Sequence, residues 1–577
     1  MSGGQSAARR TGRSLALVAA LWCGAASFTA AAPDDQVQRR AARGAQAMVV
    51  SEHPLATRAG LELLRAGGNA IDGACATALA LAVVYPVAGN LGGGGFLLHR
   101  AADGATAALD FRETAPERAT RDMFLGADGE VDRVRATRGH LAAGVPGSVA
   151  GLCEAHARLG RRPWKEVVAP ALRLAREGFA VDSLLAEECA ELARVFALYP
   201  ASAALFLPEG RPLAPGDLLR QPELARTLEA IAAHGRDGFY RGPVAAAIVA
   251  EMERGGGLIS ASDLEDYRAV WREPLMRRYR GHEIWSMPPP SSGGPLLLQM
   301  LGVLEKFDLR DAGAGSARHL HLLAEAMSRA YADRAVHLGD PDFHAVPTAW
   351  LFSPERVNEI ALQIDPTRAT TVAGAGVPPR QESPQTTHLS VLAPDGSAVS
   401  LTTTINTGYG AKVVVAGAGF LLNNEMDDFA AAPGQPNAYG LLGAEANAIA
   451  PRKRMLSSMT PTIVVRDGAV RLVVGTPGGG RIITSVLQVV VNVIDFELDL
   501  SSAIDAPRVH HQWRPNRLEV ERHGYGFAPE VRRALEQKGH RLHEQSEFCS
   551  VQAILRHADG RLEGFGDLRR MGFASGY

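Results

Sequence analysis

One stretch of the sequence, Gln385-Thr386-Thr387-His388, could supply a nucleophile at the point where an irregular segment gives way to a strand-like pattern. A threonine hydroxyl is a poor nucleophile unless a base lies beside it. A threonine at a chain terminus carries that base itself, because its free α-amine has a pKa of about 7.7–8.0 in model compounds. The chemistry requires a cut between Gln385 and Thr386. Thr386 could make this cut by attacking the Gln385 carbonyl to form an ester that water hydrolyses. Because threonine is common in strands, these residues alone are weak evidence.

Other common catalytic and cofactor-binding patterns do not fit the chain. Ser148 lacks the flanking glycines of a serine-hydrolase turn, and no lysine lies three residues after a serine. The glycines at 92–95 have no following Lys-Ser/Thr, so they predict a tight loop with close backbone approach rather than a phosphate-binding loop. No GxGxxG opens a helix after a strand, and CxxC and HExxH are absent, which removes the strongest signals for dinucleotides and zinc. The acidic patch Glu425-Met426-Asp427-Asp428 lacks calcium-loop spacing and, taken alone, predicts a solvated loop.

Composition excludes several classes of partner. The 577 residues include 60 Lys plus Arg and 62 Asp plus Glu, and the net charge of −2 gives no electrostatic footprint for nucleic acid or an anionic membrane. Hydrophobic residues make up 46% of the chain, which is typical of a globular protein. Five cysteines are too few for a disulfide scaffold.

The first 32 residues differ from the rest of the chain. A basic start with three arginines precedes a largely apolar run from Leu15 to about Phe28, which Thr29-Ala30-Ala31-Ala32 follows. This pattern predicts a signal peptide over 1–32 and a periplasmic or secreted protein that has no membrane contact after cleavage. The alternative is an uncleaved anchor, because the uncharged run of about 20 residues is long enough to span a bilayer. The small residues that follow it favour cleavage.

Periodicity predicts a mostly helical region from about residue 45 to 375 and a strand-rich region after a linker at 365–385. The clearest helix has a capping Asn69, an acidic residue three positions later, and a stop at Pro86. Turn signals at 394–397, 467–468 and 559–560 predict three hairpins, which together with interspersed helices indicate sheets layered with helices. Further helices are predicted at 165–177, 221–234, 244–254, 316–337, 481–493 and 529–538.

Seven dispersed blocks resemble, in the same order, those of the γ-glutamyltransferases (γ-glutamyltranspeptidases) of the N-terminal nucleophile superfamily. The resemblance runs from about Ala45 to Tyr577. The blocks are Asp110-Phe111-Arg112-Glu113, Met287 to Gly294, Tyr331-Ala332-Asp333-Arg334, Gln385 to Val391, Leu422 to Phe429, Leu456 to Thr462, and Gly475-Thr476-Pro477-Gly478-Gly479.

The resemblance implies an α+β fold, a four-layer αββα sandwich formed jointly by two chains of one precursor. Self-cleavage between Gln385 and Thr386 would give a large chain, 33–385, and a small chain, 386–577, that remain together as a heterodimer. The implied substrates are glutathione and other γ-glutamyl compounds. The γ-glutamyl group would pass to water or to an amino acid or dipeptide acceptor, without any cofactor or metal.

The resemblance also assigns roles to individual residues. Thr386 would be the nucleophile, Thr404 would support its hydroxyl, and the N–H groups of Gly478 and Gly479 would form the oxyanion hole. The substrate α-carboxylate and α-ammonium would be bound by two separate sets of residues. These are Arg112, Ser457 and Ser458 for the carboxylate, and Asn406, Glu425 and Asp428 for the ammonium.

Two alternatives and one feature of the pocket remain open. Residues 433–444, with Tyr439, resemble a lid loop that covers the pocket in some family members. A related acylase that removes a glutaryl side chain from a β-lactam would not need the ammonium-binding residues. A catalytically dead binding protein of the same fold would remain one uncut chain.

Overall fold

Nineteen strands and nineteen α-helices make up the parts of the chain that the structure, a computed structural model, describes: residues 41–373, 386–432, 434–524 and 526–577. The predicted signal peptide and Gln385 lie outside the described residues. The strands are β1 Ala41–Gly44, β2 Met48–Ser51, β3 Gly94–Arg100, β4 Thr106–Asp110, β5 Phe179–Ala180, β6 Leu218–Leu219, β7 Val270–Arg272, β8 Leu275–Tyr279, β9 His282–Ser286, β10 Thr387–Leu392, β11 Ala398–Thr404, β12 Thr462–Arg466, β13 Ala469–Gly475, β14 Val509–His510, β15 Leu518–Glu521, β16 Leu542–Gln545, β17 Gln552–Arg556, β18 Leu562–Gly566 and β19 Phe573–Gly576. The helices are α1 Pro54–Arg65, α2 Ala70–Val84, α3 Arg133–Thr137, α4 Ser148–Leu159, α5 Trp164–Glu177, α6 Ser183–Phe196, α7 Pro200–Phe206, α8 Pro222–His234, α9 Asp237–Tyr240, α10 Gly242–Gly255, α11 Ala261–Asp266, α12 Gly293–Leu304, α13 Leu309–Ala312, α14 Ala317–His337, α15 Thr348–Leu351, α16 Pro354–Leu362, α17 Arg481–Ile494, α18 Leu500–Asp505 and α19 Pro529–Gln537.

Two seven-stranded antiparallel sheets form the centre of the fold. The first sheet has the order β19-β2-β10-β11-β3-β4-β7, and the second has the order β1-β18-β17-β13-β12-β9-β8. In both sheets, strands from before residue 373 lie beside strands from after residue 386. Strand β10 therefore lies between β2 and β11, well inside its sheet.

Side chains alternate between the two faces of each strand, so the two faces of each sheet contribute to different hydrophobic cores. In β10, Leu389 and Val391 pack with the helices around α1 and α2, while Ser390 points between the sheets, where it donates to the Gln552 carbonyl over 2.9 Å. On the far side of the second sheet, Val464 and Leu472 pack with α12, α14 and α17. The layers are therefore helix, sheet, sheet and helix, the αββα arrangement that the resemblance predicts.

Local sequence signals account for the helix boundaries. Asn69 accepts hydrogen bonds from the backbone N–H groups of Ile71 and Asp72, and the Asp72 carboxylate accepts one from Asn69 N, so a capping box begins α2 as predicted. The three predicted hairpins are β10–β11, β12–β13 and β17–β18. Helices predicted at 165–177, 221–234, 244–254, 316–337, 481–493 and 529–538 correspond to α5, α8, α10, α14, α17 and α19.

One sequence prediction is incomplete and another is wrong. The region before residue 375 is rich in helices, α1 to α16, as predicted, but it also supplies β1 to β9, including four strands of the first large sheet and three of the second. All of these strands except β3 have five residues or fewer, so they give little periodic signal. Gly94 and Gly95 belong to strand β3 rather than to a loop, although the predicted close approach is present: a side chain at Gly95 would meet the Thr402 carbonyl oxygen at 2.4 Å.

Candidate active site

Thr386 lies at the end of the central strand pair of the first sheet. It immediately precedes β10, in which Thr387 pairs with Thr403 of β11, so Thr386 faces Thr404. The Thr386 hydroxyl donates to Thr404 Oγ1 over 3.3 Å, and the same Thr404 oxygen accepts the Asn406 backbone N–H at 2.8 Å. Thr386 is 4% exposed. The two paired strands thus fix a hydroxyl group at the edge of a cavity.

Gly478 and Gly479 form the turn between β13 and α17. Their φ angles of 135° and 57° lie in the range that favours glycine. A side chain at Gly478 would meet Cys549 Sγ at 2.2 Å, and one at Gly479 would meet the Tyr439 ring at 2.4 Å. Among the residues that the structure describes, no acceptor is bonded to either backbone N–H. Free backbone donors beside a nucleophile can stabilise a developing oxyanion.

Arg112 is the centre of a buried charge cluster. It lies two residues after the end of β4, is fully buried, and forms ion pairs with Glu425 and Asp428. Its Nε donates to the Met455 carbonyl over 3.2 Å, and Glu113 lies 3.6 Å from Nη1. The acidic patch is therefore a short 3-10 helix packed against Arg112, and its prediction as a solvated loop is wrong.

Two acceptor atoms on residues that line the cavity have no hydrogen bond in the described part of the chain. Asn406 Oδ1 and Glu425 Oε2 are buried and lack a partner within the described ranges. The Asn406 amide is oriented by its Nδ2, which donates to the Asn424 carbonyl over 2.9 Å, and its φ of 72° is one that Asn tolerates. An unsatisfied buried polar group costs about 1–3 kcal/mol. A ligand with several N–H donors, such as an ammonium group, would satisfy both atoms.

Arg334, on α14, places a second cation beside the predicted serines. Its Nε donates to Ser292 Oγ over 3.0 Å and its Nη2 to Ser458 Oγ over 3.3 Å. In the described part of the chain no carboxylate lies within 4 Å of Arg334, although it is buried. Ser457 accepts the Met459 backbone N–H at 3.1 Å. A buried guanidinium with two neutral hydroxyl partners is suited to an anionic ligand.

Tyr439, in the predicted lid loop, lines the cavity. Its hydroxyl donates to the Asn406 carbonyl over 2.7 Å, and its ring packs on Gly479. The neighbouring Gly440 carbonyl accepts Gln512 Nε2 at 3.1 Å. Of the predicted lid, 433–444, all residues except Pro433 are described, and Tyr439 is 4% exposed.

One small cavity joins these groups. It brings together all the predicted site residues that the structure describes except Gly478, which directly precedes the lining residue Gly479. The predicted residues that line it are Arg112, Thr386, Thr404, Asn406, Glu425, Asp428, Tyr439, Ser457, Ser458 and Gly479.

Burial changes the proton affinity of the acidic groups in the cluster. It raises the pKa of Glu113 to about 8, against the opposing effect of Arg112. Burial also raises the pKa of Glu425, which the adjacent Arg112 again opposes. Desolvation of these two carboxyl groups therefore outweighs the attraction of Arg112 in the described structure.

Sequence reasoning missed several residues of the site. Arg334 and Glu113 occur in the family-like blocks, but nothing local to those blocks indicates a role in the pocket. Leu441, Met459 and Ile482 provide apolar parts of the cavity wall. Local sequence could not reveal these contacts, because they join residues that are far apart in the chain. Arg112 and Glu425, for example, are 313 residues apart.

The one cluster of possible metal ligands within the described residues contains none of the residues that line the cavity. No helix in the described ranges is both long enough and apolar enough to cross a bilayer.

Comparisons with known proteins agree with the motifs. The family model for gamma-glutamyltranspeptidase matches residues 56–577. The glutathione hydrolase proenzyme of Escherichia coli is 49% identical over 530 residues, which cover 91% of each chain.

Solved structures agree with the fold. A cephalosporin acylase from Bacillus halodurans matches with a TM-score of 0.83 and 28% identity, covering 96% of this chain and 99% of that one. A gamma-glutamyltranspeptidase from Helicobacter pylori is 44% identical, with a TM-score of 0.55, and covers 56% of this chain and 92% of that one.

These matches confirm the predicted α+β fold class and the predicted family, whereas the roles of the individual site residues stay predictions. With a family model that spans 56–577 and a relative 49% identical over nearly the whole chain, the protein belongs to the gamma-glutamyltranspeptidase family.

Proposed function

We propose that this chain is a self-processing glutathione hydrolase and γ-glutamyltransferase. The chain would cut itself between Gln385 and Thr386 into a large chain, 33–385, and a small chain, 386–577. The interleaved strands of both sheets would hold the two chains together as a heterodimer. Thr386 would then be the nucleophile.

The observation that carries this proposal is the charge arrangement beside the Thr386 hydroxyl. The cavity is lined by two arginines and two serines, and also by Asn406 and Glu425, each of which has a free acceptor atom. A zwitterionic α-amino acid head matches this arrangement, with its carboxylate toward the arginines and its ammonium toward the acceptors. The ligand would complete hydrogen bonds that the protein leaves unmade.

Arg334 sharpens the assignment of the carboxylate. Arg112 already donates to Glu425, Asp428 and the Met455 carbonyl. The side chain of Arg334 has only neutral hydroxyl partners in the described structure, so its positive charge is the one that is not already neutralised by a carboxylate. We therefore assign the α-carboxylate to Arg334 together with Arg112, Ser457 and Ser458.

The reaction follows from these positions. The freed α-amine of Thr386 accepts the proton of its own hydroxyl as Oγ1 attacks the γ-carbonyl carbon. The oxygen of the tetrahedral intermediate receives the N–H groups of Gly478 and Gly479, and Thr404 steadies the attacking oxygen. The C–N bond then breaks, the leaving amine takes the proton, and a γ-glutamyl ester remains on Thr386.

The second half of the reaction returns the enzyme to its starting state. Water, an amino acid or a dipeptide gives a proton to the Thr386 amine and attacks the ester carbon. The new bond forms as the bond to Oγ1 breaks, and the hydroxyl recovers its proton. Tyr439 covers the cavity, which limits the access of water to the ester.

Glutaryl acylase activity is the second candidate, favoured by the structural match to a cephalosporin acylase. A glutaryl group has the terminal carboxylate but no ammonium. It would leave Asn406 Oδ1 and Glu425 Oε2 without a donor. We therefore expect kcat/KM for a γ-glutamyl anilide to exceed that for the matching glutaryl anilide by about 10-fold or more, the value of one charged hydrogen bond.

We also propose that residues 1–32 are a signal peptide and that the mature protein is periplasmic or secreted. The basic start, the apolar run and the small residues at 29–32 support this assignment. N-terminal sequencing of both chains of the mature protein would report the two cuts. A large chain that begins before residue 15 would contradict export by cleavage.

The test of the nucleophile is Thr386→Ala, with Thr387→Val as the matched control. Thr387 is the adjacent buried threonine, and its hydroxyl has no partner in the described structure, so Val should preserve both packing and activity. We expect Thr386→Ala to remain one uncut chain with no γ-glutamyl anilide hydrolysis, and Thr387→Val to give two bands. Normal two-band processing of Thr386→Ala would overturn the proposal.

A further inference from the structure

A second polar cluster lies apart from the active-site cavity. His321 and Glu325 lie one turn apart on α14, and His540 lies between α19 and β16. All three are buried, and one ligand atom from each lies within 4.8 Å of the other two. His321 Nδ1 and His540 Nε2 face each other at 2.8 Å.

Contacts behind these groups orient their lone pairs. His321 Nε2 lies 2.8 Å from the carbonyl oxygen of Asp365, which can only accept, so Nε2 carries the proton and Nδ1 presents a lone pair to the cluster. Metal-binding histidines typically donate their other ring N–H to a carbonyl or carboxylate in this manner.

Glu325 is held in a similar way. Its Oε1 accepts the Thr370 backbone N–H at 3.1 Å, while its Oε2 binds the Thr370 hydroxyl and, at 2.9 Å, Arg329 Nη1. The single bond to Oε1 leaves a lone pair on that oxygen. An ion bound through Oε1 would leave the Arg329 ion pair intact.

The types of ligand atom indicate which ion fits. Two imidazoles and one carboxylate form a ligand set for zinc, whereas magnesium and calcium prefer oxygen ligands alone.

We propose that His321, Glu325 and His540 bind a zinc ion. Bonds of about 2.0–2.1 Å to a tetrahedral ion hold two ligand atoms about 3.3 Å apart, so the two nitrogens need to separate by about 0.5 Å. The HExxH motif does not describe this site, because two ligands have a His-x-x-x-Glu spacing and the third follows 215 residues after Glu325.

The position of the ion would matter for the assembled protein. His321 and Glu325 precede the proposed cut, whereas His540 follows it. The ion would therefore join the large and small chains, close to the Asp365–Thr370 stretch. This consequence, unlike zinc binding itself, rests on the proposed self-cleavage.

Zinc uptake by the untagged enzyme tests the proposal. The protein is dialysed against a chelator, then against buffered zinc, and bound metal is measured by mass spectrometry. We expect about one zinc ion per precursor equivalent, that is, per pair of large and small chains. The value should fall to near zero in His540→Ala. His557→Ala is the matched control, because His557 forms a half-exposed pair with Glu563 at 3.1 Å and should leave uptake unchanged.

Further variants keep the outcome decisive. His540→Gln retains a side-chain N–H but removes the imidazole, and it replaces the Ala variant if that protein fails to fold. Thr370→Val removes a hydroxyl behind Glu325 and should weaken zinc binding by about 10- to 100-fold. The cobalt-loaded wild type should show the visible absorption of a tetrahedral site, and His540→Gln should not.

Two results would overturn the zinc site. One is no zinc uptake and an unchanged Tm on zinc addition, which would leave the cluster as a hydrogen-bond network only. The other is uptake that His540→Ala and His540→Gln do not reduce. The uncut Thr386→Ala chain should bind zinc equally well, so failure of the zinc site and failure of self-cleavage are distinguishable.

Discussion

Two buried charge networks in this protein differ in how completely they are satisfied. In the first, the carboxylates of Asp567 and Glu521 meet Arg508 and Arg569, and every carboxylate oxygen accepts at least one hydrogen bond, such as Arg569 Nε to Glu521 Oε1 at 2.7 Å. In the second, around Arg112, Glu425 Oε2 and both oxygens of Glu113 accept none within the described residues.

The proton affinities of the two networks differ in the same sense. Although burial raises the pKa of Asp567, Arg508 and Arg569 hold that pKa below its ordinary value. Burial raises the pKa of Glu113 to about 8 because Arg112 compensates it poorly. We call the first network complete because all of its carboxylate oxygens are bonded, although Arg508 Nε has no partner within the described residues. A complete network of this kind stabilises the fold by itself, whereas an incomplete one beside a cavity has bonding capacity left for a ligand.

The largest expected effect is on the complete network. Arg569→Met leaves Asp567 and Glu521 without their shared partner, and removal of one member of a buried ion pair costs about 3–5 kcal/mol. We expect the urea midpoint to fall sharply or the protein to be insoluble. A midpoint within error of wild type would mean that the two networks do not differ in the way described.

The next effect is on activity rather than stability. Arg112→Lys keeps the charge but cannot bind Glu425 and Asp428 through two separate nitrogens. We expect kcat/KM for a γ-glutamyl anilide to fall by about 10- to 150-fold, the equivalent of one charged hydrogen bond. The urea midpoint should change far less than in Arg569→Met. Unchanged kinetics would contradict the role of Arg112 in the pocket.

A pH effect should follow from Glu113. Its pKa is higher in the folded than in the unfolded chain, so its neutral form favours folding below about pH 4.5, and this contribution is lost as pH rises through about 8. We expect Glu113→Gln to stabilise the protein at pH 8.5 by about 1–3 kcal/mol, the cost of an unsatisfied buried charge. Urea titrations at pH 8.5 and 5 measure the difference. An equal effect at both pH values would show that the pKa of Glu113 is not raised in the folded protein.

The smallest effect is expected on the surface. Arg121 pairs with Glu445 at 2.7 Å, but both side chains are largely exposed. Arg121→Ala should change the free energy of unfolding by less than about 1 kcal/mol and leave kcat/KM unchanged. Loss of activity here would show that arginine substitutions act on the enzyme through general effects of charge.

The sequence predicted the regular elements with clear local signals and the family with dispersed motifs. The capping box at Asn69 and the hairpin turn signal at Pro394–Ser397 are local, so periodicity and turn chemistry sufficed. The comparisons confirm the family and the fold class.

Side-chain partnerships were not accessible in the same way. Nothing near Arg334 in sequence indicates that it binds Ser458, 124 residues later. The acidic patch at Glu425 reads as solvated because its neutralising partner precedes it by 313 residues. Completeness of a buried network depends on geometry, which residue order alone does not supply.

The placement of β10 between β2 and β11 has a bearing on how the enzyme can be made. Cleavage of the backbone before Thr386 would leave β10 paired on both sides, and each fragment contributes strands to both sheets. We expect that neither fragment acquires this architecture by itself. Separate production of the fragments should therefore yield insoluble material, and gene designs should retain the continuous precursor.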